Sequence, residues 1–229
     1  MKCFFGGELM TGSLLSILLL GFLLGIKHAI EPDHVIAVST IASESKNLKR
    51  SIFAGVYWGI GHTATLFLVG MILIVAKNTI TDTVALSLEF IVGIMLVSLG
   101  LNSVLRFMKH RHPHSHNTSD HRKKSRTHLK SFFIGLIHGL AGSAAMVLLT
   151  MSTVSTAWQG ALYILIFGCG TIVGMLSFST VIGIPFVLTS GKQMNSYLNN
   201  LAGIISILFG IYYMYKLGVN EGLFSLWFS

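Results

Sequence analysis

Within a mainly apolar stretch from Leu14 to Ala42, the segment Lys27-His28-Ala29-Ile30-Glu31-Pro32-Asp33-His34 sets two imidazoles, two carboxylates, an amine and a helix breaker. At the centre of a membrane span, a Lys or Asp costs roughly 2.5–3.5 kcal/mol, while each Leu, Ile or Phe returns only about 0.3–0.6 kcal/mol. Ionisable side chains kept at that cost face a protein interior or an aqueous cavity, and they mark an ion or substrate path. Neutral imidazoles with one carboxylate suit Ni(II), Co(II), Zn(II) or Cu(II). Hard cations call for more oxygen ligands, and Cu(I) calls for thiolates or thioethers. His28, Asp33 and His34 are therefore the first candidate metal ligands. Nickel or cobalt is the favoured cation, as transported substrate rather than as a permanent cofactor.

The backbone must bring these residues together. On an ideal helix Asp33 stands about 140° and His34 about 240° around from His28, so the three do not share a face. Pro32 cannot donate to the His28 carbonyl, and its ring clashes with the preceding turn. The first helix is thus expected to break near Pro32, letting the side chains converge and freeing the His28 carbonyl as a further oxygen. Irregular backbone at membrane depth is tolerated only where it is buried in protein or lines a wet cavity. The bland alternative is that Asp33 and His34 simply end a helix at the cytoplasmic surface. The renewed apolar run Val35 to Ala42 weighs against it.

The composition is 52% hydrophobic and 10% charged, with a mean hydropathy of +0.73, which does not suit a water-soluble globule of 229 residues. It predicts an all-α polytopic membrane protein. Six spans of about 20 residues fit around Phe22, Thr63, Val97, Ser143, Thr171 and Leu208. The N-terminal apolar run follows Lys2 but lacks a small-residue cleavage pattern, and is expected to be a retained first span. Phe22, Gly25, His28 and Thr40 recur 110 residues later as Phe132, Gly135, His138 and Thr150, and Gly93 and Gly100 recur as Gly203 and Gly210. The chain then divides into a three-helix repeat over 1–107, a His-rich cytoplasmic loop over 108–130 and a second three-helix repeat over 131–229. An odd number of spans per half makes the repeats inverted. In such folds the site lies near the midplane at the repeat interface, where His28 and His138 can face each other.

Basic residues crowd alternate loops, from Lys46, Lys49 and Arg50 through Arg106 to Lys130 and then Lys192, whereas the other side has only Lys2, Lys77 and Lys216. The positive-inside bias predicts a multi-pass protein of the cytoplasmic membrane with both termini outside. The positive surplus is thereby assigned to topology in a lipid bilayer, not to nucleic acid. Cys3 and Cys169 have no paired spacing, which argues against a disulfide framework or thiol relay, and Cys169 is expected to be a small buried packing residue. No phosphate-binding loop is present, so this chain has no nucleotide site of its own.

His62 and His138 are further candidate metal ligands. For His62 a structural hydrogen bond is almost as good a reading, and His138 gains from repeating His28. Thr63 and Ser143 are candidates for orienting imidazoles, although small hydroxyl residues also serve as packing glue between membrane helices. Glu31 is a ligand, a proton carrier or, by default, the i,i+4 ion-pair partner of Lys27. Glu89, in the third span, is a weaker proton-path candidate. The loop histidines His110, His112, His114, His116, His121 and His128 form a composition that binds metal while staying unstructured. The alternative is a solvated, topology-setting loop whose Lys and Arg repel cations. Gly135, Gly139, Gly142, Gly168, Gly170 and Gly174 are spaced for close helix packing.

The pattern His28-x4-Asp33-His34 resembles the signature of the nickel/cobalt transporter (NiCoT) family. Its surroundings from Gly25 to His34 are most similar to the shorter urease-accessory, UreH-type relatives within the LysE-like transporter superfamily. Gly61-His62-Thr63 and Ile137-His138-Gly139-Leu140-Ala141-Gly142-Ser143 resemble further motifs of those relatives. The resemblance implies transport of a transition-metal cation, with His28, Asp33 and His34 in binding or selectivity, and a separate metallochaperone or urease maturation system as partner. It implies a transporter rather than an enzyme. The alternatives from other classes are an exporter of another small solute and a membrane metal-dependent enzyme with Glu31 as general base.

Overall fold

A computed structural model describes residues 4–43, 47–77, 80–109, 120–154, 156–188 and 192–228. Its described residues form helices and short connections: α1 (Phe4–His28), α2 (Pro32–Ser43), α3 (Leu48–Ala76), α4 (Asp82–Lys109), α5 (Asp120–Thr153), α6 (Ala157–Leu188) and α7 (Lys192–Tyr215). A π-helical turn, Lys216–Asn220, then leads to α8 (Leu223–Phe228). Large apolar side chains such as Leu19, Leu68, Ile94 and Leu208 point outward, while Thr40, Ser51, Thr171, Ser179 and Ser206 are buried. That inversion of the soluble pattern is what a lipid-facing bundle requires, with small hydroxyls as glue between helices. Ser51 Oγ donates to the Ser179 carbonyl at 2.9 Å and Ser206 Oγ to the Leu96 carbonyl at 2.8 Å, each joining one half of the chain to the other. The protein is an all-α polytopic membrane protein.

The first helix does break at the motif. α1 ends at His28, α2 starts on Pro32, and the two are bent by 56°. Proline is well placed there, because the first residue of a helix has no intrahelical acceptor for its N–H in any case. One expected consequence does not follow. The Glu31 N–H donates to the His28 carbonyl at 3.0 Å, just as Ile30 donates to Lys27. The oxygen that Pro32 cannot serve is taken by the residue before it, through a tighter i→i+3 turn, so the His28 carbonyl is not left without a donor.

Among the described residues, α3, α4, α6 and the segment Ser196–Asn220 are long and apolar enough to cross a membrane, and the bent α1–α2 pair makes a fifth span. The sequence predicts six. The sixth falls on α5, whose stretch 131–153 carries no Asp, Glu, Lys or Arg and is only partly covered by the described side chains.

The repeated glycines show how the halves meet. A Cβ on Gly25 would collide with the Phe167 carbonyl, and one on Gly170 with the Phe22 carbonyl. The counterparts Gly135 and Gly61 stand in the same way against the carbonyls of Trp58 and Phe132. Helix α1 thus packs chiefly on α6, and α5 on α3, each crossing to the other half of the chain. In α4 and α7, Gly93 meets Gly210 and Gly100 meets Gly203. The halves interlock into a core of α1, α3, α5 and α6, with α4 and α7 as a pair beside it and α2 touching both groups.

Cys169 departs from expectation, being exposed rather than buried. Its neighbours Gly168 and Gly170 take the packed face of α6 against Thr63 and Phe22. A helix turns about 100° per residue, so the residue between them points away.

Candidate metal centre

Each imidazole reaches the centre from a different element: His28 from the last turn of α1, His34 from the first turn of α2, His62 from α3 and His138 from α5. His62 is the central residue of the 29-residue α3. His34, His62 and His138 are buried, with relative exposures of 1%, 0% and 2%. The rings of His28 and His34 are 4.5 Å apart, those of His34 and His138 4.1 Å, and those of His34 and His62 5.3 Å. His28 and His138 do not touch directly. His34 stands between them, so the repeat-related pair brackets the motif histidine.

Two carboxylates set the tautomers. Asp33 accepts from both sides, its Oδ2 from His138 Nε2 at 2.7 Å and its Oδ1 from His34 Nδ1 at 3.1 Å. Glu31 Oε2 lies 2.9 Å from His28 Nδ1. A neutral imidazole that donates from one nitrogen presents a bare lone pair on the other. Donation to Glu31 therefore leaves His28 Nε2 as an acceptor, and it lies 3.1 Å from His62 Nε2, which supplies the proton. Donation to Asp33 leaves His34 Nε2 and His138 Nδ1 unprotonated. Both are buried without a hydrogen-bond partner, as is His62 Nδ1. Orphaned buried polar atoms are uncommon in folded proteins. A carboxylate holding the far N–H of an imidazole is also the usual support of a metal-ligating histidine. Ligand atoms of two trios, His28/His34/His62 and Asp33/His34/His138, lie within 4.8 Å of one another, with His34 common to both.

All five predicted ligands are thus brought together. The predicted supporting residues fare differently. Glu31 contacts His28, not Lys27, and no Lys27–Glu31 ion pair forms among the described residues. The helix break removes the continuous i,i+4 geometry that such a pair needs, and leaves Lys27 exposed on the cavity wall. Thr63 and Ser143 orient no imidazole. Thr63 Oγ1 donates to the Gly168 carbonyl at 3.3 Å and Ser143 Oγ to the Leu140 carbonyl at 2.7 Å, because a short hydroxyl on a helix reaches backbone oxygen first. Among the loop histidines, His110, His112, His114 and His116 lie outside the described residues. His128 packs on Tyr57 and Phe53, with ring centroids 4.9 and 5.9 Å away.

The cluster opens into a cavity of about 260 Å³ whose lining includes His28, Glu31, Asp33, His34 and His138 together with Glu89 and Tyr213. Gly142 also lines it. The nearest atoms to a Cβ there would be His62 Cε1 and Leu66 Cδ2 at 3.8 Å and His28 Nε2 at 3.9 Å, all at ordinary contact distance, so this glycine leaves space beside the imidazoles instead of serving close helix packing. Three aromatic neighbours were not singled out from the sequence. Trp58 stacks on His34 at 6.0 Å, Phe167 lies 5.5 Å from His28, and Tyr213 donates to Glu89 Oε2 at 3.0 Å. Trp58 alone had a signal, since it precedes His62 by four residues and shares its helix face.

Comparison with known proteins gives the family. The family profile described as "Cytochrome C biogenesis protein transmembrane region" matches residues 16–212. The urease accessory protein UreH of Bacillus sp. (strain TB-90) is 59% identical over 221 residues, covering 93% of this chain and 97% of that protein. The chain belongs to the UreH family and to that transmembrane-region family. A UreH-type assignment, expected from the motif around His28, Asp33 and His34, is thereby borne out. A protein of Methanocaldococcus jannaschii named "Putative nickel/cobalt efflux system" is 28% identical over 83% of this chain and 88% of its own length. The chloroplast protein FOR GROWTH AND FERTILITY 2 of Arabidopsis thaliana is 25% identical, over 78% of this chain and 50% of its own length. No solved structure matches.

Proposed function

We propose that this UreH-family chain is a transition-metal permease that moves Ni(II) or Co(II) across the cytoplasmic membrane by alternating access, with both termini outside. One observation carries the reading. Four imidazoles and Asp33 converge from four elements in the membrane, and three buried ring nitrogens among them lack any hydrogen-bond partner. Imidazole nitrogens backed by carboxylates suit a borderline divalent cation. In this reading His34 and His62 offer the cation their lone pairs, and His28 joins them once the cation displaces the His62 proton from its Nε2. Asp33 and Glu31 hold the rings, and His138 with Asp33 forms an adjoining set of ligands through the shared His34.

The names of the relatives agree with this reading. One is named a urease accessory protein, and another is named for nickel/cobalt efflux. The halves of the sequence interlock through backbone contacts at Gly25, Gly61, Gly135 and Gly170, which disfavours rocking one half against the other. The α4–α7 pair is the part more free to shift against the core. Helix α2, which carries Asp33 and His34, touches both, so such a shift moves two ligands relative to the other three. An enzymatic role is not favoured, because Glu31, the available general base, is engaged by His28.

The test is flux into proteoliposomes across a panel of Ni, Co, Zn, Mn and Fe ions, comparing the natural chain with His28→Ala and Asp33→Ala. Selective flux of one or two ions, lost in both variants, is expected. Flux indifferent to both substitutions contradicts the site, and turnover without flux favours an enzyme.

A further inference from the structure

Glu89 and Tyr213 line the same cavity as the imidazole cluster, one on α4 and one on α7. A carboxylate inside a membrane span is expensive and calls for a reason. Packing does not supply it, because the repeat contains an internal comparison: the residue 110 positions on is Asn199, which carries no charge. Tyr213 donates to Glu89 Oε2 at 3.0 Å, fixing one oxygen, and among the described residues no cationic side chain pairs with the carboxylate. Among the described residues, Lys27 is the one lysine or arginine on the lining of the same cavity. Facing the same space is His34, 1% exposed, whose Nε2 has no hydrogen-bond partner. The cavity of about 260 Å³ far exceeds the roughly 10–15 Å³ that one water needs, so a cation fits with much of its hydration shell.

We infer that Glu89, held in position by Tyr213, captures the hydrated divalent cation in the cavity before it passes to the imidazole cluster. The inference rests on the permease reading and adds to it a residue outside the motif. A fixed negative charge on the wall raises the local concentration of cations and speeds their arrival. Coordination by the imidazoles then replaces the waters. Glu89 is thus a specificity-determining residue for charge and hydration, and the imidazoles complete the coordination after it.

The probe is Ni(II) chloride with the full chain in proteoliposomes, measuring KM and maximal flux for Glu89→Gln, Glu89→Asp and Tyr213→Phe beside Asp33→Ala. Glu89→Gln is expected to raise KM about tenfold with little change in maximal flux, and raised ionic strength is expected to narrow its gap to the natural chain. Glu89→Asp should recover part of the loss, and Tyr213→Phe should raise KM about threefold, as for one lost hydrogen bond. Equilibrium Ni(II) binding to the purified chain should be weakened far less by Glu89→Gln than by Asp33→Ala. An unaltered KM in Glu89→Gln, or a loss confined to maximal flux or to folded protein that Glu89→Asp shares, overturns the inference. Absence of flux in the natural chain, or its persistence in Asp33→Ala, instead overturns the permease reading.

Discussion

The first helix of each half starts from the same pattern and ends differently. Phe22, Gly25 and His28 have counterparts in Phe132, Gly135 and His138, and both glycines press on backbone of the opposite half. Beyond the histidine the two diverge. Lys27, Glu31, Pro32, Asp33 and His34 correspond to Ile137, Ala141, Gly142, Ser143 and Ala144. Where the first half breaks and turns by 56°, α5 runs on unbroken to Thr153. The repeat thus preserves the packing surface on both sides and keeps the charged chemistry on one. The second half contributes a histidine and, at Gly142, empty space. A site of this kind needs a symmetric scaffold but not symmetric ligands.

The largest effect is expected from removing the residue that ties the two sides together. Asp33→Ala unpairs both His34 and His138, and should lower metal flux by about 100-fold or more with membrane insertion intact, measured in proteoliposomes beside a quantified protein band. Making the first half resemble the second is the next test. Pro32→Ala restores a donor at the break and favours a continuous helix, in which Asp33 and His34 turn away from His28. Flux should fall about tenfold, the low end of what a displaced ligand support costs. The glycines separate packing from space. Gly135→Leu collides with the Trp58 backbone and should abolish recovery of folded protein in size-exclusion chromatography, whereas Gly142→Leu should fold and bind little metal because its side chain fills the cavity. The smallest effects belong to Thr63→Val and Ser143→Ala, whose hydroxyls meet only backbone. Each should leave flux within about twofold and lower stability by about 0.6 kcal/mol, measured by thermal unfolding in detergent.

Much of this was legible in the sequence for physical reasons. A charged motif with proline in an apolar run has few explanations, so the break at Pro32 and the gathering of His28, Asp33 and His34 could be read from cost and helix geometry. His138 came from the repeat. What was not legible depends on which surface a helix turns toward its neighbours. Nothing in the local sequence says that Glu31 prefers His28 to Lys27, that Glu31 itself occupies the His28 carbonyl, or that Cys169 faces outward between two packed glycines. Glu89 was visible as an acid in a span, but its relation to Tyr213 joins residues 124 positions apart. The interlocking of the halves was likewise hidden, since equal repeats are compatible with side-by-side or interdigitated packing.

The measurement that bears most directly on the central claim is X-ray absorption at the nickel edge on the purified, Ni(II)-loaded chain, with stoichiometry from metal analysis. One ion per chain is expected, with a nitrogen/oxygen shell and the outer-shell scattering of several imidazoles, both reduced in His34→Ala. Sulfur in the first shell, or an imidazole signal that survives in His34→Ala unchanged, would place the cation elsewhere and contradict the assignment of the cluster.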